Sequence, residues 1–128
     1  TPVEMDLEFP CEASSLYDTY NPLNITQSLS IPPGEGTSDQ YAMGDLSGKF
    51  GTLDNRKRYS STYNDTLLPI FGYESILGRS IIIYKRESDV RLACSTIDRG
   101  YSPSEARELR AIASFHHPHG YAYGYIRM

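Results

Sequence analysis

The chain has no apolar stretch long enough to cross a bilayer as a helix. Basic charge is also short: 12 Lys and Arg face 16 Asp and Glu, a formal net charge of -4. A phosphate-binding surface needs concentrated positive charge, so the composition argues against a nucleic-acid partner. The single basic run, Arg56-Lys57-Arg58, reads as a solvated turn. There is no Gly-rich phosphate loop, no Ser-His-Asp set and no paired-carboxylate constellation. Asp45 and Asp54 read as turn residues. No signal peptide is visible and the sequence opens at Thr1 without Met, so the expectation is a mature or processed segment.

Cysteine is scarce too. Cys11 and Cys94 are either two buried thiols or one bridge. A bridge would close a loop of roughly 80 residues and stabilise the fold by about 4–5 kcal/mol through chain entropy. Two sequons, Asn24-Ile25-Thr26 and Asn64-Asp65-Thr66, fit the N-glycosylation pattern and favour an extracellular setting.

What the chain does have is short β-type segments set off by turn residues, the pattern of an all-β sandwich or barrel. Residues 3–9 alternate, with Val3, Met5, Leu7 and Phe9 on one face. Residues 21–36 are rich in Pro, Gly, Ser and Asn and read as a long ordered loop. A short strand is expected over 49–53. Another covers 58–64, with Tyr59, Ser61 and Tyr63 on one face. The β-branched run Ile81-Ile82-Ile83 suits a central buried strand over 80–85, and 91–97 forms the next. Ser102-Pro103-Ser104-Glu105 has the pattern of a helix start, with a helix expected through Leu109. Strands over 110–115 and 121–126 then flank His116-His117-Pro118-His119-Gly120, a hairpin turn. Those three histidines are the only ones in the chain. They are weak candidates for a surface metal, because ligands crowded into so short a window rarely converge on one ion. Tyr121, Tyr123 and Tyr125 alternate with small residues; they are either ordinary sheet surface or an interaction face.

Four motifs in order resemble copper/zinc superoxide dismutases. Tyr20-Asn21-Pro22, following Cys11, is similar to that family's aromatic-Asn-Pro loop. Gly44-Asp45-Leu46-Ser47-Gly48-Lys49 is similar to a loop of its extracellular copper-only branch. Phe71-Gly72 with Ser75-Ile76-Leu77-Gly78-Arg79-Ser80 resembles its Greek-key loop. Arg91-Leu92-Ala93-Cys94 resembles the strand that carries its active-site arginine and second bridging cysteine. The closest likeness is to the repeated copper-only modules of secreted animal proteins. It implies a flattened Greek-key β-barrel and a Cys11–Cys94 bridge.

The same resemblance implies that the metal chemistry is gone. Family copper histidines fall at Thr19 and Tyr84, and a zinc histidine near Ala42. Two more copper ligands belong on strand 3–9, where Met5 and Leu7 stand instead. Asp45 and Arg91 are retained; Arg91 is expected to satisfy loop carbonyls or pair with an acid. One carboxylate does not make a zinc site. Several imidazoles around one ion are what copper catalysis needs, so no cofactor and no dismutation are expected. The alternative is a copper-dependent dismutase or copper-binding protein with a relocated site.

Residues 110–128 resemble the first hairpin of such a module, placed after the last strand instead of before the first. The expected organisation is therefore a dismutase-like core lacking its first strands over 1–97, a linker with a short helix over 98–109, and a hairpin over 110–128. A sandwich short of a strand exposes edges and seeks one from a neighbour. The reading is a secreted, non-catalytic pseudoenzyme used as a structural or self-assembling unit, its partners being copies of itself or neighbouring modules. A binding module for another secreted protein or glycan, using tyrosine surface, is the remaining possibility.

Overall fold

The computed structural model describes residues 2, 3, 10–12, 14–26, 31–86, 88–100, 110–115 and 122–128. The strand expected over 3–9, Val3 apart, the helix through Leu109 and the turn at 116–120 lie outside them. The chain divides into two compact units, Thr1–Tyr17 with Ile70–Met128, and Asp18–Pro69.

The first unit is an antiparallel sheet of β1 (Ser80–Tyr84), β2 (Arg91–Arg99), β3 (Ala111–Phe115) and β4 (Gly124–Arg127), in the spatial order β1-β2-β3-β4. The class is all-β with little helix, and the sheet is not closed: among the described residues β1 and β4 are its edges. Ile81-Ile82-Ile83 are half-buried and, among the described residues, lie on an edge strand, where their composition suits a central buried one. A β-branched run favours extended backbone but does not choose the strand's place in the sheet.

Register explains the core. Residues opposite each other in an antiparallel pair share a face. The pairs Ile83–Ala93, Ile97–Ala113 and Ala113–Ile126 put apolar residues on the same face of all four strands. Ala111, Ala113 and Phe115 are buried while Ser114 between them is exposed, the alternation of a strand with one wet face. On the opposite face, Ile82 lies across from Cys94 and packs with Val3 and Leu16. The β1–β2 pair is thus apolar on both sides and the β3–β4 pair on one.

A hydrogen bond and a disulfide help fasten the N-terminal segment to β2. The Val3 N–H donates to Thr96 Oγ1 at 2.9 Å. Cys11, in a 3-10 turn over Pro10–Glu12, is bridged to Cys94 with their Cα atoms 5.5 Å apart.

The second unit holds a 3-10 turn at Ser38–Gln40 and one short helix, α1 (Leu46–Phe50), with no strand among its described residues. The strand expected over 49–53 is replaced by the end of α1 and the chain leaving it. The physical reason is a pair of caps. Asp45 Oδ1 accepts the Gly48 N–H at 2.9 Å, and Gly51, at φ 91°, turns its N–H back to the Ser47 carbonyl at 3.0 Å. The strand expected over 58–64 is also absent. Its residues are all exposed, Tyr63 included though it stacks on Phe50, and no described strand lies alongside to give it a ladder.

Tyr41 is the anchor of this unit, 1% exposed. Its hydroxyl donates to the Pro32 carbonyl at 3.0 Å and accepts the Gly36 N–H at 2.9 Å. Lys49 is buried as well. Its ammonium donates to the Met43 carbonyl at 2.9 Å and to Asp65 Oδ2 at 2.8 Å.

Candidate functional site: the open edges of the sheet

The β4 edge can be derived from its hydrogen bonds. Ala111 and Met128 exchange both backbone bonds, at 3.0 and 2.9 Å. In an antiparallel ladder such doubly bonded pairs alternate with pairs that make none between the strands. Ile112–Arg127 and Ser114–Tyr125 are therefore the non-bonded pairs. It follows that the N–H and C=O groups of Tyr125 and Arg127 point away from β3, towards the open side. This row is a template for one more strand.

The side chains along that edge are large and exposed. Tyr125 is 62% and Tyr123 72% exposed. The Arg127 guanidinium lies 4.6 Å from the centre of the Tyr125 ring. Cation and ring share the outward face, as residues two apart on a strand must. Tyr121, grouped with them from the sequence, lies outside the described residues. The other edge, β1, presents half-buried isoleucines and ends at exposed Tyr84, where the register slips between Ile83 and Tyr84. An irregularity of this kind limits how far a neighbour can pair.

The positions matched to metal ligands do not offer a copper donor set. Thr19 and Tyr84 are exposed, and Ala42 is a buried methyl group with no donor atom. Thr19 and Ala42 belong to the second unit and Tyr84 to the first. Asp45 is occupied as the α1 cap. Among the described residues no three His, Cys, Asp or Glu side chains gather in a metal-binding group. His116, His117 and His119 lie outside that set.

Arg91 donates to the carbonyls of Cys11, at 3.0 Å, and Tyr17, at 3.5 Å. It braces the segment that the bridge ties to β2. Asn24 and Asn64 are both exposed, as are Thr26 and Thr66. Asn24 sits at φ 51° in a turn held by Asn21, whose side chain bonds Ile25 in both directions. No helix of the described residues is long and apolar enough to cross a membrane.

Two groups escaped the sequence reading. One is the Lys49–Asp65 pair, which spans 16 residues and follows no periodicity. The other is the contact between the Tyr59 and Tyr63 hydroxyls. The two tyrosines stand four residues apart in the sequence, close enough for a local contact.

The chain matches no protein-family model, no curated protein and no solved structure.

Proposed function

We propose that the chain is a secreted, non-catalytic module of superoxide-dismutase-like build that serves as a structural unit and joins other copies of itself through its sheet. The observation that carries this reading is the open β4 edge, with two residues whose backbone polar groups face outward. The ordered motifs from Cys11 to Cys94 support the dismutase-like build and a Greek-key arrangement. The Cys11–Cys94 bridge supports an oxidising compartment, where such bonds persist. The exposed sequons at Asn24 and Asn64 support glycosylation there. The side chains at Thr19, Ala42 and Tyr84 support loss of the metal chemistry.

Two modes of joining share this geometry. A neighbour's strand adds to the β4 edge, or the hairpin over 110–128 leaves its own β2 and pairs with β2 of a neighbour in the same register. Edge addition is the leading mode, because it leaves the buried contacts of Ala111, Ala113 and Phe115 intact.

The test uses the whole chain and light scattering over a range of concentrations. Arg127→Pro deletes one outward N–H without touching the β3 ladder, so it is expected to reduce assemblies to monomers; Arg127→Ala keeps the N–H and is expected to leave them. A wild-type chain that stays monomeric throughout ends the proposal. A cysteine pair at Asp98 and Ile112, which face each other across β2 and β3, separates the modes. Oxidised assemblies that run as monomers support edge addition, and covalent dimers establish exchange.

A further inference from the structure

Tyr59 and Tyr63 meet through their hydroxyls, and both are exposed, at 42% and 48%. Each ring is also held by a second contact. The Arg56 guanidinium lies 5.0 Å from the centre of the Tyr59 ring. Phe50 stacks on Tyr63 with centroids 4.5 Å apart and planes inclined by 18°. The pair therefore does not depend on one hydrogen bond to stay together. In a phenol the ortho carbons flank the oxygen, so hydroxyls in contact bring an ortho carbon of each ring into the neighbourhood of the other. Those carbons hold much of the unpaired spin once a phenol loses a hydrogen atom.

We propose that Tyr59 and Tyr63 are a cross-linking site, joined as an intramolecular dityrosine when the protein meets a haem peroxidase and hydrogen peroxide. The peroxidase takes one hydrogen atom from each hydroxyl. The two phenoxyl radicals form a carbon–carbon bond between ortho positions. Each bonded carbon then releases its hydrogen as a proton, and each oxygen regains one. Two tyrosines and one hydrogen peroxide give one dityrosine and two waters.

Proximity favours this pair over exposed tyrosines that stand alone. Tyr17, Tyr73 and Tyr123 are more exposed and meet the oxidant as readily. Among the described residues neither Tyr17 nor Tyr73 touches a second phenol, so their radicals must wait for another molecule, whereas the Tyr59–Tyr63 reaction is unimolecular. Hydrogen bonding assists. Ser61, and then Tyr59, hold the Tyr63 hydroxyl below the ordinary phenol range, and Tyr63 in turn raises Tyr59. The Tyr59 proton thus has the Tyr63 oxygen as an acceptor in place. The cross-link would staple the turn that follows the basic run, and it does not depend on assembly or on the dismutase-like reading.

The experiment treats the dilute full-length chain with a haem peroxidase and limiting hydrogen peroxide. Dityrosine fluorescence is read in the monomer fraction, and the product is mapped by peptide mass spectrometry. The expected product is a peptide lighter by two hydrogens that yields no fragments between residues 59 and 63. Tyr59→Phe and Tyr63→Phe should each lower monomer fluorescence roughly tenfold or more, and Tyr73→Phe should not. Denaturing the wild-type chain first should abolish the preference. Fluorescence confined to covalent dimers, or monomer fluorescence that survives Tyr63→Phe, would overturn the assignment.

Discussion

In the sheet unit the buried side chains are mostly aliphatic: Ala93, Ile97, Ala111 and Ala113 are each at most 4% exposed. In the unit over 18–69 the deepest side chain is Tyr41, and a lysine is buried not far from it in sequence. The difference follows from where backbone hydrogen bonds are made. In the sheet the ladder satisfies the N–H and C=O groups, so the side chains need only fill space. The second unit has no described ladder, so its loop backbone must find other partners. Polar side chains supply them, buried Tyr41 for Pro32 and Gly36 and Lys49 for Met43, half-buried Asp65 for the Leu67 N–H and Asn21 for Ile25. A loop-built unit folds uniquely when its backbone is answered by specific side chains. A sheet can do so with volume and alternation.

The contrast can be broken most severely at the bridge. Cys11 and Cys94 are 83 residues apart, and the closed loop contains the whole of Asp18–Pro69. Replacing both with Ser should cost about 4–5 kcal/mol by the chain-entropy account, measured by chemical denaturation. The loss should register in both units, because the constraint lies on the chain that joins them. If only the sheet loses stability, the two are less coupled than their connectivity implies.

Next in size is the ion pair. Asp65→Ala leaves a buried ammonium with the Met43 carbonyl and no counter-charge. It should cost about 3 kcal/mol, the usual consequence of stranding one partner. The double replacement Lys49→Met with Asp65→Leu should recover most of that, because no charge is then left buried. Should the double variant be as unstable as the single one, the hydrogen bonds to Met43 and Leu67 matter more than the charge.

The same contrast explains how far the sequence could be read. All four strands fall within or beside segments expected to be extended, because β-branched and aromatic residues declare a pleated surface locally. Their order did not follow: Ile81-Ile82-Ile83 looked central and lies at an edge of the described sheet, since burial depends on what comes alongside. The second unit was harder. Phe50 and Leu53 gave 49–53 a strand-like look, while the deciding information lay in Asp45 and Gly51, which cap a helix. Lys49 carried no sign that it would be buried, because its partner lies far along the chain. Of the candidate site, the tyrosine alternation in the last hairpin was legible. The outward set of N–H groups was not, for it depends on register.

The smallest expected effect concerns acid. Thr37 Oγ1 donates to Asp39, and this bond, ahead of the residue's own backbone N–H, holds the carboxyl below its ordinary value of 3.8. A carboxylate with a lowered folded-state pKa contributes stability that is present above the unfolded value and lost as pH falls through the folded one. The contribution should therefore be complete from about pH 5 upward and gone well below 3.8. Asp39 lies on the surface, so solvent and salt keep the effect small. Thr37→Val removes the donor and keeps the shape. Urea unfolding should place the variant slightly below wild type near neutrality, with the gap closing in acid. A gap that persists unchanged at low pH would show that Thr37 acts through packing instead. The bridge does not titrate, so the loss of the Asp39 contribution in acid leaves that cross-link as it was.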